Sequence, residues 1–183
     1  MRMILVTALL ALIVGAGLAE ASGIGVGLGA FGGVSIPVVN DLSKQGSTLG
    51  IRAPVKLLPM VTVEPFFASS ALGDVSDDFG TPITYTRDGG KVSAFGATAL
   101  ITFGGDRLQF YPFFGLASYK LTRSGAEDIK DAGYNFGLGL GISPISKVTV
   151  HLRGELSMIA TDETSQKFAN VTAGVSYAVF SLK

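Results

Sequence analysis

The chain has 183 residues, no cysteine, no tryptophan and one histidine, and its 14 acidic and 14 basic residues cancel. Neutrality removes the bulk field that draws a protein to nucleic acid, so no nucleic-acid partner is expected. Without cysteine there is no disulfide framework and no thiolate metal site. A chain with 48% hydrophobic residues, 25 glycines and only 15% charge is too apolar and too patterned to be disordered.

The first stretch, "MRMILVTALLALIVGAGLAEA", has a basic residue at Arg2, an apolar run from Met3 to Val14 and a small-x-small ending at Ala19-Glu20-Ala21. That order reads as a cleavable secretory signal peptide over 1–21, with Ser22 as the first mature residue. Met3 to Leu18 falls short of the roughly 20 residues that a bilayer-spanning helix needs. The remainder, 22–183, suits a single exported domain.

From residue 23 onward the pattern is period two, rich in β-branched, aromatic and glycine residues, in eight segments bounded by turn chemistry. They run over 23–36, 46–57, 60–72, 90–103, 107–121, 132–143, 147–160 and 167–181. The first, "GIGVGLGAFGGV", contains a GxGxxG spacing at Gly27, Gly29 and Gly32. A phosphate cradle would need a helix to follow, and another strand pattern follows instead. Segments two and three meet at Leu58-Pro59, four and five at Gly104-Gly105-Asp106, and six and seven at Ser143-Pro144-Ile145-Ser146. These are tight hairpins. The other connections, "PVVNDLSKQ", "GDVSDDFGTPITYTRDG", "TRSGAEDIKDA" and "TDETSQ", are longer and polar, which predicts an up-and-down meander with short turns at one end and long loops at the other.

One face of these segments is apolar and the other is small or polar. Ile24, Val26, Leu28, Ala30 and Val34 oppose Gly25, Gly27, Gly29, Phe31, Gly33 and Ser35. Tyr134, Phe136, Leu138, Leu140 and Ile142 oppose Asn135, Gly137, Gly139, Gly141 and Ser143. A soluble barrel of the lipocalin kind would turn the large side chains inward and leave a glycine-rich outer wall, which weakens strands to no purpose. Turning the apolar face to lipid, with glycine and charges inward, satisfies the pattern, and strands can cross lipid only as a closed barrel. Eight strands enclose an interior just wide enough for side chains. The expected fold is all-β: an eight-stranded antiparallel up-and-down transmembrane β-barrel after a cleavable signal peptide.

The segments "GIGVGLGAFGGV", "YPFFGLASY" and "GYNFGLGLGISPISKVTVHLRGELS" together resemble the small outer-membrane β-barrel proteins of Gram-negative bacteria, of the outer membrane protein A and X kind. The resemblance covers the mature chain. It implies an outer-membrane location, surrounding outer-membrane lipid and lipopolysaccharide, and the barrel-assembly machinery as a partner during biogenesis. It also implies termini and tight turns on the periplasmic side and four longer loops outside, with an unidentified loop-binding partner.

Six titratable residues fall on the inward face: Arg52, Lys56, Glu64, His151, Arg153 and Glu155. Ionisable groups inside a membrane-spanning structure must be paired or hydrated, so these are expected to form a polar lumen network. A turn centred near 58 sets Arg52 opposite Glu64, and one near 145 sets His151 opposite Gly139 and Arg153 opposite Gly137. His151 is the only histidine, and neither a Ser/His nor a paired-carboxylate constellation gathers at the loop end. No catalytic residue, cofactor or metal site is therefore assigned; "GDVSDDFG" lacks the ordered spacing of a calcium loop. "VEPFFASSAL" and "FYPFFGLASY" place Pro65 and Pro112 within strands, where a bulge or strand end is expected. Phe66, Phe67, Tyr111, Phe113 and Phe114 are expected to contribute to an interfacial aromatic girdle. The functional expectation is a structural or surface-interaction membrane protein acting through its loops. The alternatives are a narrow pore or small-molecule conduit and a lipid-modifying barrel enzyme.

Overall fold

Alternating residues with β-branched and aromatic side chains form strands because each such side chain packs flat against a pleated neighbour. The computed structural model describes residues 25–38, 43–78, 84–105, 107–125, 127–160 and 165–181. The expected signal peptide and its boundary at Ser22 lie outside the described residues. Among the described residues no helix is long and apolar enough to cross a membrane; any crossing is made by strands.

The strands are β1 (Gly25–Val38), β2 (Lys44–Arg52), β3 (Val55–Lys56), β4 (Val61–Gly73), β5 (Val75–Asp78) and β6 (Thr84–Arg87), followed by β7 (Lys91–Ile101), β8 (Phe103–Gly104), β9 (Leu108–Thr122), β10 (Ile129–Ile145), β11 (Val148–Ile159) and β12 (Gln166–Ser181). β10, β11, β12, β1, β2, β4, β7 and β9 lie side by side in that order, and β9 closes back on β10. β3 continues the line of β2, and β8 that of β7, so the wall has eight staves, all antiparallel. β5 and β6 form a separate hairpin. "GDVSDDFGTPITYTRDG", expected as an irregular loop, thus contains strand structure of its own.

Two hairpins turn one residue later than expected. β10 runs through Ile145, its irregularity between Ile142 and Ile145 absorbs Pro144, and the turn falls at Ser146–Lys147. The partners therefore move by two: His151 faces Gly141, Arg153 faces Gly139 and Glu155 faces Gly137. Likewise Arg52 is paired with Phe66 rather than Glu64. A two-residue shift preserves strand parity, so every side chain stays on its expected face.

The prolines also differ from expectation. Pro65 and Pro112 are mid-strand, in ladders that run regularly past them on one side. The neighbouring staves break instead. Pro65 accepts from the Ala53 amide at 2.9 Å but has no N–H to return, and there β2 gives way to β3. The β7 ladder to β9 ends at Leu100 opposite Phe113, one step short of Pro112, and resumes in β8 with Phe103 opposite Phe110. The repeated proline-aromatic motif marks two wall interruptions.

The outer wall is apolar over most of its height, with Leu28, Leu49, Phe95, Leu116, Leu138 and Val175 all at least half exposed. Strands of 14 to 17 residues in β1, β9, β10 and β12 exceed the roughly 9–11 that a bilayer requires. Toward the loop end the faces exchange character. On β9 the outward Phe110, Phe114 and Leu116 give way to Ser118, Lys120 and Thr122, while Ala117, Tyr119 and Leu121 point in and are buried. Val92 and Leu72 do the same on β7 and β4. A wall leaving lipid for water needs a polar exterior and an apolar interior, as in a soluble barrel.

Candidate functional site: a closed lumen

The lumen is filled in successive levels. At the turn end lies a chamber of about 390 Å³, bordered by Lys56, Thr62, Gln109, Lys147, Thr149 and Ser176. Lys56, one of the six expected network residues, is exposed here and stands apart from the rest. The chamber's floor is an ionic cluster. Glu64 on β4 accepts from Arg153 on β11 through both carboxylate oxygens, at 2.5 and 2.9 Å. Arg52 at the end of β2 reaches the same carboxylate at 3.7 Å and lies over the Phe31 ring at 4.2 Å. Arg52, Glu64 and Arg153 are 4%, 2% and 5% exposed, too dry for any of them to be left unpaired.

Tyr111 connects this cluster to His151. The Arg153 Nε–H donates to the Tyr111 hydroxyl at 3.0 Å, the hydroxyl lies 2.8 Å from His151 Nδ1, and His151 Nε2 lies 2.7 Å from the Ser176 hydroxyl. Arginine can only donate, so the Tyr111 oxygen accepts at that contact, and the sense of the Tyr111–His151 bond follows the imidazole tautomer. When Tyr111 donates to Nδ1, Nε2 carries the ring proton and donates to Ser176. A serine nucleophile requires the opposite arrangement, with the imidazole accepting from the hydroxyl.

Above this level Glu155 is held by neutral donors. Ser157 Oγ donates to it at 2.8 Å, and Asn135 Nδ2 and Asn170 Nδ2 donate at 3.1 and 3.3 Å. Between Glu155 and Arg52 is a cavity of about 50 Å³, also lined by Thr48, Ser70 and Thr172. That is room for a few water molecules. The last level is apolar: Leu72, Val92, Tyr119, Leu121, Ile159 and Phe168 pack together under the loops.

Strand parity explains why these residues meet. His151, Arg153, Glu155 and Ser157 alternate along β11 with the outward Val150, Leu152 and Leu156. The facing β10 supplies glycine opposite His151, Arg153 and Glu155 and Asn135 opposite Ser157, and the Tyr111 ring lies against Gly139, where any Cβ would overlap it. The structure brings Arg52, Glu64, Arg153 and His151 into one cluster through Tyr111 and sets Glu155 one level higher. Tyr111, Ser176, Asn135 and Asn170 join the network without having been expected in it. All four have inward parity, and counting from Gln109 through Tyr111 and Phe113 would have placed Tyr111. The expected girdle divides the same way: Phe67 and Phe114 face out, whereas Phe66, Tyr111 and Phe113 face in.

The loop end is cross-tied. Asp88 accepts from the Gly90 amide at 2.9 Å and the Ser124 amide at 3.0 Å, and these bonds hold its carboxyl below the usual carboxylate range. Asp128 is lowered by its contact with Lys120, 2.6 Å away. Among the described residues no group of three or more His, Asp or Glu side chains is placed to hold a metal ion. The Asp77 and Asp78 side chains lie outside the described residues.

Several solved structures share this architecture. Neisserial surface protein A superposes with a TM-score of 0.67 at 15% identity, over 85% of this chain and 98% of that one. The N-terminal β-barrel domain of Pseudomonas aeruginosa OprF gives 0.56 at 15% identity, over 86% and 98%. A major outer membrane protein from Thermus thermophilus gives 0.53 at 12% identity, over 85% and 98%. At these identities the likeness speaks for the fold. No curated protein matches the sequence significantly. The sequence model for the outer membrane protein beta-barrel domain matches residues 4–178. With the closed eight-stave wall and its apolar exterior, that match places the chain in the outer membrane protein beta-barrel family, as an integral protein of the cell outer membrane.

Proposed function

We propose that this barrel is a closed structural element of the outer membrane whose loop end serves as an interaction surface, and that it is not an enzyme. The observation that carries this reading is double closure: a buried ionic cluster at mid-lumen and, above it, an apolar plug. A lumen blocked by two chemically different layers is poorly suited to transport. The imidazole beside Ser176 is backed by the Tyr111 hydroxyl and Arg153 rather than by an orienting carboxylate, which supports the non-enzymatic reading. The loop end faces outward and the turns face the periplasm. The apolar belt is solvated by outer-membrane lipid, including lipopolysaccharide, and the chain reaches its place through the barrel-assembly machinery. The partner of the loops is a surface molecule whose chemistry the loops' mixed charge leaves open.

The test is refolded protein run heated and unheated on a denaturing gel, then inserted into planar bilayers. A heat-dependent mobility shift without discrete conductance steps is expected. Discrete steps from the unaltered protein would favour a narrow conduit instead. Arg52 supports that second reading to the extent that it stands beside a Glu64 oxygen already bonded to Arg153, an alternative partner in place.

A further inference from the structure

We propose that the turn-end chamber binds the phosphate group of a small polar solute. At mid-lumen the charges cancel, Arg52 and Arg153 against Glu64 and Glu155. The chamber adds only cations: Lys56 and Lys147 border it, and its one acidic side chain, Glu64, is already engaged by both forks of Arg153. The excess positive charge of the described lumen is thus concentrated at this end.

Neutral hydrogen-bonding groups surround that charge. Thr62 comes from β4, Gln109 from β9, Thr149 from β11 and Ser176 from β12, so four staves each send a hydroxyl or amide into one space. Glycines leave that space open. Gly25 and Gly27 line it from β1, and a Cβ on Gly141 would lie 3.3 to 3.6 Å from Thr149, Gln109 and His151. At about 390 Å³ the chamber falls within the size range of small-molecule sites. Its floor is the Arg153–Glu64 pair, so a solute enters and leaves by the same mouth.

The chemistry favours phosphate over carboxylate. A planar carboxylate is best matched by a guanidinium fork, and the fork present here is occupied by Glu64. Two lysine ammonium groups act as point charges without a fixed plane, and hydroxyls approach from several sides. That arrangement suits a tetrahedral oxyanion of more than one negative charge. The proposal goes beyond the closed-barrel reading and does not depend on what the loops bind.

The experiment is a titration of the full refolded protein in phospholipid-free micelles with inorganic phosphate, followed by backbone amide chemical shifts at constant ionic strength. Saturable shifts are expected at Thr62, Gln109, Thr149 and Ser176. Lys56→Gln with Lys147→Gln should weaken the apparent affinity about fivefold or more. Both lysines are exposed and outside the buried cluster, so the heat-dependent gel shift should be retained. The proposal is overturned if sodium chloride produces the same shifts, or if the double variant titrates as the parent does. Shifts that require anionic phospholipid doped into the micelles would overturn it too, by making the ligand a lipid headgroup.

Discussion

Glu64 is buried with two guanidinium groups beside it, and its removal should cost far more than the loss of the weaker Arg52 contact. Glu64→Gln leaves Arg52 and Arg153 as buried like charges with no carboxylate in contact, Glu155 lying one level higher across the small cavity. A loss of about 3–5 kcal/mol in urea unfolding of the lipid-reconstituted protein is expected. Arg52→Met should cost about 1 kcal/mol or less. It leaves the Arg153–Glu64 pair intact, removes guanidinium Nε and Nη1 atoms that have no hydrogen-bond partner, and sets a thioether on the Phe31 ring in place of the cation. Equal losses from the two variants would mean that the triad acts as a unit. The glycines make the same kind of distinction. Gly139→Ala would drive a methyl group into the Tyr111 ring and separate that hydroxyl from Arg153 and His151, whereas a methyl group at Gly154, on the outer wall, meets nothing within 4 Å. Gly139→Ala should therefore lower the urea midpoint, and Gly154→Ala should raise stability by about 0.5–1 kcal/mol, the usual benefit of restricting a strand glycine. The ionic cluster was legible as a set of inward charges, but Tyr111 was not. An aromatic beside proline reads by its chemistry as a girdle residue, and only its parity along β9 reveals it as the junction between Arg153 and His151.

At the scale of elements, period-two patterning located the staves and their faces because lipid outside and a narrow lumen inside demand opposite side chains. It did not locate where the wall leaves the lipid. Leu121 and Val92 look like any other strand hydrophobes, and their inward direction follows from the changeover to Ser118, Lys120 and Ser93 outside. The β10–β11 turn moved by a single residue because Pro144 is tolerated inside β10 at its irregularity, something that turn propensity alone reads as a chain reversal. The loop ties lead to a pH prediction. Asp88 has a folded-state pKa below its unfolded value, because the Gly90 and Ser124 amides favour the charged form. Its contribution is therefore present above the unfolded value of about 3.9 and is lost as pH falls through the lower folded value. Amide exchange at Gly90 and Ser124 should accelerate in that acidic window while the barrel stays folded. Asp88→Asn should show faster exchange already at neutral pH and no acidic transition at these two amides. Unchanged exchange in the variant would mean that Ser43–Gly89 and Asp74–Gly89 suffice to hold the loops together.

For the molecule as a whole, the consequence of two closures in series is that neither can be tested by opening it alone. Water and ions crossing the lumen would meet the Arg153–Glu64 level and then the plug of Leu121, Ile159 and Phe168, which differ in what breaches them. Removing charge widens the first but leaves a dry constriction above, and a hydrophobic constriction blocks ions by dewetting even where their bare size would pass. Polar substitution in the plug hydrates the second but leaves the ionic cluster across the path. Glu64→Ala with Arg153→Ala, and separately Ile159→Ser with Phe168→Ser, should each remain silent in planar bilayers, provided each retains the heat-dependent gel shift. The quadruple variant should show discrete steps. Conductance from the charge-deleted pair alone would mean that the apolar level does not seal, leaving one ionic contact between the two sides of the membrane and making the conduit the better description of this protein. Silence from the folded quadruple variant would place a further barrier in the loops above β4, β9 and β11, where Asp88 and Ser43 already tie the chain across the barrel mouth.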